Sequence, residues 1–98
     1  MIIRVFRAVV QPGQQPEFER FFLTKALPRL QAQPGVLSVT VGKPLTATET
    51  EFLMITVWHD LAALQGFAGE HWQNAVIDPA EAHLLKETFV HHYAAASD

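Results

Sequence analysis

The chain has 98 residues, 49% of them hydrophobic and 17% charged, with a formal net charge of -3. That length supports one domain with one core, and the composition is too apolar for a disordered chain. The absence of cysteine excludes disulfides, thiolate nucleophiles and cysteine-ligated metals. Scattered acids without a basic stripe argue against nucleic acid as a partner.

The N-terminal run MIIRVFRAVV carries arginines and lacks a small-residue cleavage site, so it does not read as a signal peptide. No apolar stretch approaches the ~20 residues of a membrane span. The expectation is a soluble, cytoplasmic domain over residues 1–95, with no membrane partner and a disordered tail over 96–98.

Residues 2–10 read as a strand, rich in Ile, Val and Phe and ended by Gln11, Pro12 and Gly13. A helix is predicted over 14–32, because Phe18, Phe21, Phe22, Ala26 and Leu30 recur at helical spacing. Pro28 lacks a backbone donor, so the last turn should kink or end there. Val36–Val41 reads as a second strand, Gly42–Thr50 as a polar hairpin loop, and Glu51–His59 as a third strand.

Asp60 is a good N-cap for a helix carrying Leu61, Leu64, Phe67 and Ala68. Gly66 and Gly69 should break it into short pieces around Glu70–Ile77. Asp78, Pro79 and Glu81 form a restart signal: a cap, a proline at the first helical position, and an acid three residues past the cap. Phe89–Ala94 reads as the closing strand. The order is βαββαβ, the ferredoxin-like α+β sandwich, with an antiparallel four-stranded sheet and the first strand flanked by the third and fourth.

The first strand is apolar on both sides. Ile3, Val5 and Val9 point one way, and Ile2, Phe6, Ala8 and Val10 the other. Helices cover one face of such a sheet, and an uncovered apolar face is what soluble monomers avoid. A homodimer packed through its sheet faces is therefore expected.

Arg4 and Arg7 are three apart on a strand and face opposite sides, as do the adjacent His91 and His92. An enclosed guanidinium needs an acceptor: either an anionic ligand, or an acid such as Glu51, Glu87 or one from a partner subunit. A histidine sharing a face with an arginine suits a proton shuttle, or a plain structural hydrogen bond. His71, Trp72 and Phe67 sit in the broken helical region, as a wall for a flat aromatic molecule or as core. His59, His71, His83, His91 and His92 show no HxxxH or HExxH pair, so no metal site is expected. There is no Gly-rich phosphate loop, no GxSxG elbow and no paired carboxylates at enzyme spacing.

The MIIRVFR strand, the LPRLQAQPG turn, Trp58 at a strand end and the FAGE…AV…P…HY run resemble the antibiotic-biosynthesis-monooxygenase (ABM) family along essentially the whole chain. The resemblance implies a dimeric α+β barrel, with a site between helices and sheet. Members that oxidise polyphenolic rings without a cofactor surround the substrate with an asparagine, a tryptophan, a tyrosine and an arginine. Here those places hold Met54, Trp58, Leu64 and a position near Asp78, so only the tryptophan is kept. The haem-degrading branch wants an asparagine, a tryptophan and a histidine ligand where this chain has Phe6, Phe67 and about Ile77.

The expected function is binding of a flat aromatic or quinol-type molecule, with oxidation by dioxygen and no cofactor. His92 would act as base or relay, Arg4 as anion stabiliser, and Trp58, with Phe67 and Trp72, as stacking walls. Phe6, Met54 and His71 complete the expected substrate-binding set. The alternative is a non-enzymatic small-molecule-binding or sensing dimer. A haem-degrading oxygenase and a lyase or isomerase are further options.

Overall fold

The run Ile2–Val10 forms β1, the interior strand of a sheet ordered β2-β3-β1-β4, where β2 is Val36–Gly42, β3 Glu51–Trp58 and β4 Leu85–Ala94. The computed structural model describes residues 1–96. Both neighbours of β1 run antiparallel to it, so the predicted α+β ferredoxin-like arrangement is the fold. The expected tail falls at Ala96 and on residues 97 and 98, which lie outside the described residues. Ala95 is held, its N–H donating to the Met1 carbonyl at 3.0 Å. Among the described residues no helix is long and apolar enough to cross a membrane.

The segment predicted as one helix over 14–32 is three pieces on one path: α1 (Gln15–Phe21), a π-helical turn (Phe22–Ala26) and α2 (Leu27–Gln31). Pro28 has no N–H to give the Thr24 carbonyl, and its ring crowds that group. The widened turn just before it accommodates both problems: Leu27 N–H bonds back to Phe22 O, and the Thr24 hydroxyl donates to Arg20 O at 2.6 Å.

α3 (Leu61–Ala68) is capped by Asp60, whose carboxylate accepts from Ala63 N at 2.8 Å. Gly66 does not break it, contrary to expectation. Leu64 anchors α3 in the core, and termination waits for Gly69 at φ 82°.

The expected short helices over Glu70–Ile77 are absent; that stretch is turns and irregular backbone. The restart at Asp78 yields only a turn followed by a 3-10 turn, Ala82–Leu84. β4 begins at Leu85, four residues before the predicted Phe89, because β1 extends far enough to pair Val10 with Leu85 across a bulge. A ladder partner outweighed a weak local helix signal.

Alternation on β3 buries Phe52, Met54, Thr56 and Trp58 beneath the helices. Phe18, Phe22 and Phe52 make one aromatic cluster there, with ring centroids 4.8–5.9 Å apart. The opposite face presents Ile3, Val5, Val9, Leu53, Ile55 and Val57, half-buried, with Tyr93 exposed. Arg7 lies on that face, 3.5 Å from Glu51 and with its guanidinium 4.4 Å from the Phe89 ring centre.

Gly35 and Gly13 both adopt positive φ, 80° and 88°, but a Cβ on Gly35 would collide with Ala63 of α3 while one on Gly13 meets nothing within 4 Å. Gly13→Ala is expected to cost about 1–2 kcal/mol for the left-handed backbone alone. Gly35→Ala should lose a further ~1–3 kcal/mol to overpacking. Urea denaturation of the two variants measures the difference directly.

Candidate functional site

Between the sheet and the helices lies a half-open cleft of about 60 Å³. β1 supplies Arg4 and Phe6, β3 supplies Met54 and Thr56, and the π-interrupted helix supplies Phe21, Phe22, Ala26, Arg29 and Leu30. Phe67 of α3 and Val76, Asp78 and Glu81 of the irregular segment close it. The wall is mostly apolar with a few polar groups, the usual composition of a small-molecule site.

Arg4 is the organising group. Strand pairing sets it beside Thr56 on one side and His92 on the other, all on the helix-covered face. It is 4% exposed. Nη1 donates to the Trp72 carbonyl at 2.6 Å and to His92 Nε2 at 2.9 Å, and Nη2 donates to the Asn74 carbonyl at 3.0 Å. Among the described residues no carboxylate pairs with it. Burial lowers its pKa, yet a guanidinium keeps its proton. Nε has no partner among the described residues, and none of their buried side-chain nitrogens or oxygens is left unbonded, so Nε keeps some exposure to solvent.

Arginine can only donate, so His92 Nε2 must accept and the ring is neutral. Burial first, then the Arg4 charge and His91, lowers its pKa. The Trp72 ring meets it edge-on, centroids 4.9 Å apart. His92 therefore holds Arg4 in place and does not itself line the cleft.

Glu81 was legible in the sequence only as a capping acid. The structure buries it to 6% exposure on the cleft wall. Its Oε1 accepts from Asp78 N–H at 3.4 Å, the acid's half of a capping box, while the Asp78 carboxylate accepts from Ala80 N–H at 2.8 Å. Burial raises its pKa from 4.5 to about 7; the Asp78 hydrogen bond and Arg29 pull it down, and the Asp78 charge pushes it up. Asp78 itself is held low by Ala80 N–H and by Arg29, 3.3 Å away.

Of the expected site residues, the cleft gathers Arg4, Phe6, Met54 and Phe67. Trp58 is completely buried behind it, its indole N–H donating to Thr56 Oγ1 at 2.9 Å and its ring stacked on Phe67 at 5.4 Å. Trp72 contributes its carbonyl to Arg4. His71 and His83 are exposed and away from the wall. Among the described residues no group of three or more His, Cys, Asp or Glu is placed to hold a metal ion.

The model of the antibiotic biosynthesis monooxygenase family matches residues 1–78, which hold the first three strands and the helices that cover them. The chain belongs to this family. Several solved structures share the whole fold. SnoaB, a cofactor-independent oxygenase from Streptomyces nogalater, is 23% identical with a TM-score of 0.71, over 99% of this chain and 94% of that one. The haem-degrader MhuD from Mycobacterium tuberculosis, with two haems in its active site, is 19% identical with a TM-score of 0.71, over 100% and 98%. PA3566 from Pseudomonas aeruginosa is 20% identical with a TM-score of 0.75, over 98% and 94%. No curated protein matches the chain.

Glu81 links stability to pH. Its folded pKa lies above the unfolded value, so the native state binds the proton more tightly between pH 4.5 and about 7. Stability should fall as pH rises through that window, by up to roughly 3 kcal/mol. Glu81→Gln is expected to remove this slope and be more stable than the parent on the alkaline side, as read from denaturation midpoints at a series of pH values.

Proposed function

We propose that the cleft binds a flat, hydroxylated aromatic molecule of quinol or anthrone type and oxidises it with dioxygen, needing neither metal nor flavin. The observation that carries this reading is Arg4: a buried cation on the wall of a mostly apolar cleft, bonded among the described residues to neutral groups alone. Such a cation favours an anion arriving from outside. Deprotonation makes the ring electron-rich enough to reduce dioxygen itself. For a ring methylene the balance is CH2 plus O2 giving C=O plus water.

Phe6, Phe21, Phe22 and Phe67 offer the aromatic walls. His92 and the carbonyls of Trp72 and Asn74 position Arg4. The half-buried apolar face of Ile3, Val5, Leu53, Ile55 and Val57 supports a homodimer packed sheet to sheet. The mostly apolar wall with few polar groups also suits a second reading, a dimer that binds a small aromatic molecule without converting it.

Oxygen uptake with a panel of quinols and anthrones tests the leading reading. Uptake above buffer is expected, reduced ~10²–10³-fold in Arg4→Gln, the loss typical of one oxyanion donor. No uptake on any substrate would leave the binding reading.

Haem does not fit the residues present. No histidine among the described residues lines the cleft, and the position expected for the ligand holds Ile77. Titration with hemin is expected to give no saturable Soret shift. A shift saturating at one haem per chain, lost in His71→Ala or His83→Ala, would overturn this.

A further inference from the structure

Two groups of opposite formal charge face the cleft without meeting. Arg4 lines it from β1, and Glu81 lines it with a carboxyl whose only hydrogen bond among the described residues reaches Oε1. Oε2 has no partner among the described residues, and since none of their buried side-chain oxygens is left unbonded, it too keeps some exposure to solvent. The two line the same cleft and form no ion pair with each other. Thr56, on the strand paired with Arg4, lines the same wall.

We propose that Glu81 is the proton acceptor of this cleft, taking the proton of a phenol or enol on the bound ring while the resulting oxyanion remains against Arg4. This rests on the reading of the cleft as an aromatic-ligand site. In the step the ligand O–H bond breaks and its electron pair stays on the ligand oxygen. The proton forms a new O–H bond on the Glu81 carboxylate. Net charge in the cleft is unchanged; the negative charge moves from a carboxylate in apolar surroundings to an oxygen beside a guanidinium.

The surroundings suit a base working near neutral pH. Asp78 on the same turn opposes the charged form of Glu81, Arg29 from α2 favours it, and burial outweighs both. Lys25 from the π turn acts on Asp78, and Arg4 faces the cleft from β1. A base is most effective when its pKa lies near the working pH, where Glu81 stands at about 7. His92 is less suited, because its lone pair is engaged by Arg4.

The probe is 2-naphthol, a phenol that stays protonated in water at about pH 8, where Glu81 is ionised. Binding is followed by tryptophan quenching, ionisation by the naphtholate absorption band, and net proton exchange in a weakly buffered solution with indicator dye. The parent protein should show a saturable naphtholate band with essentially no proton released to solution. Glu81→Gln should still quench, but either lose the band or release about one proton for each anion bound. A parent that binds 2-naphthol in its neutral form, or releases a proton as the variant does, overturns the role of Glu81 and leaves the cleft reading standing. No quenching in the parent overturns both.

Discussion

The structure depends on a buried arginine with which no carboxylate among the described residues pairs. Removing a guanidinium from water costs several kcal/mol unless its protons find acceptors, and here the acceptors are two backbone carbonyls and one imidazole. The carbonyls of Trp72 and Asn74 belong to a stretch with no regular helix of its own. Arg4 thus ties that stretch to the central strand. In return, the stretch delivers Val76, Asp78 and Glu81 to the cleft wall. A continuous helix over Glu70–Ile77 would engage the Trp72 carbonyl internally and take one of the three acceptors from the guanidinium.

The first helix meets the same demand from the other side. Pro28 forces a widened turn, and Phe22 and Ala26, at its two ends, are both on the cleft wall with Phe21, Arg29 and Leu30 around them. Arg29 reaches Asp78 at 3.3 Å, joining the helix to the irregular segment at the cleft. The Phe18–Phe22–Phe52 cluster and the Trp58–Phe67 stack fill the space on either side. Most of the chain's aromatic surface is therefore core, and the cleft is what that packing leaves between two fixed clusters.

The electrostatic arrangement follows from burial more than from pairing. Desolvation is the leading influence on Arg4, Glu81 and His92 alike. It favours neutral forms of the last two and leaves Arg4 as the persistent charge of the site. An apolar enclosure with one fixed cation and one carboxyl poised near neutrality is suited to binding anions and exchanging single protons.

Local pattern alone determined a good part of this protein. Period-two and helical spacing placed the four strands, the first helix and the Asp60 cap, because each depends on near neighbours in sequence. Strand parity also required Arg4 and Arg7, and His91 and His92, to part to opposite faces. Which member of each pair faces the helices was decided only when β1 paired with β4 in the register Arg4↔His92. The early start of β4 and the loss of helix after Gly69 were likewise decided by distant partners: the far end of β1, and the guanidinium of Arg4. Glu81 illustrates the limit best. Its position as a capping acid was legible because the capping box is local, but its burial and raised pKa come from the sheet and first helix closing over that turn, which no stretch of sequence around it records.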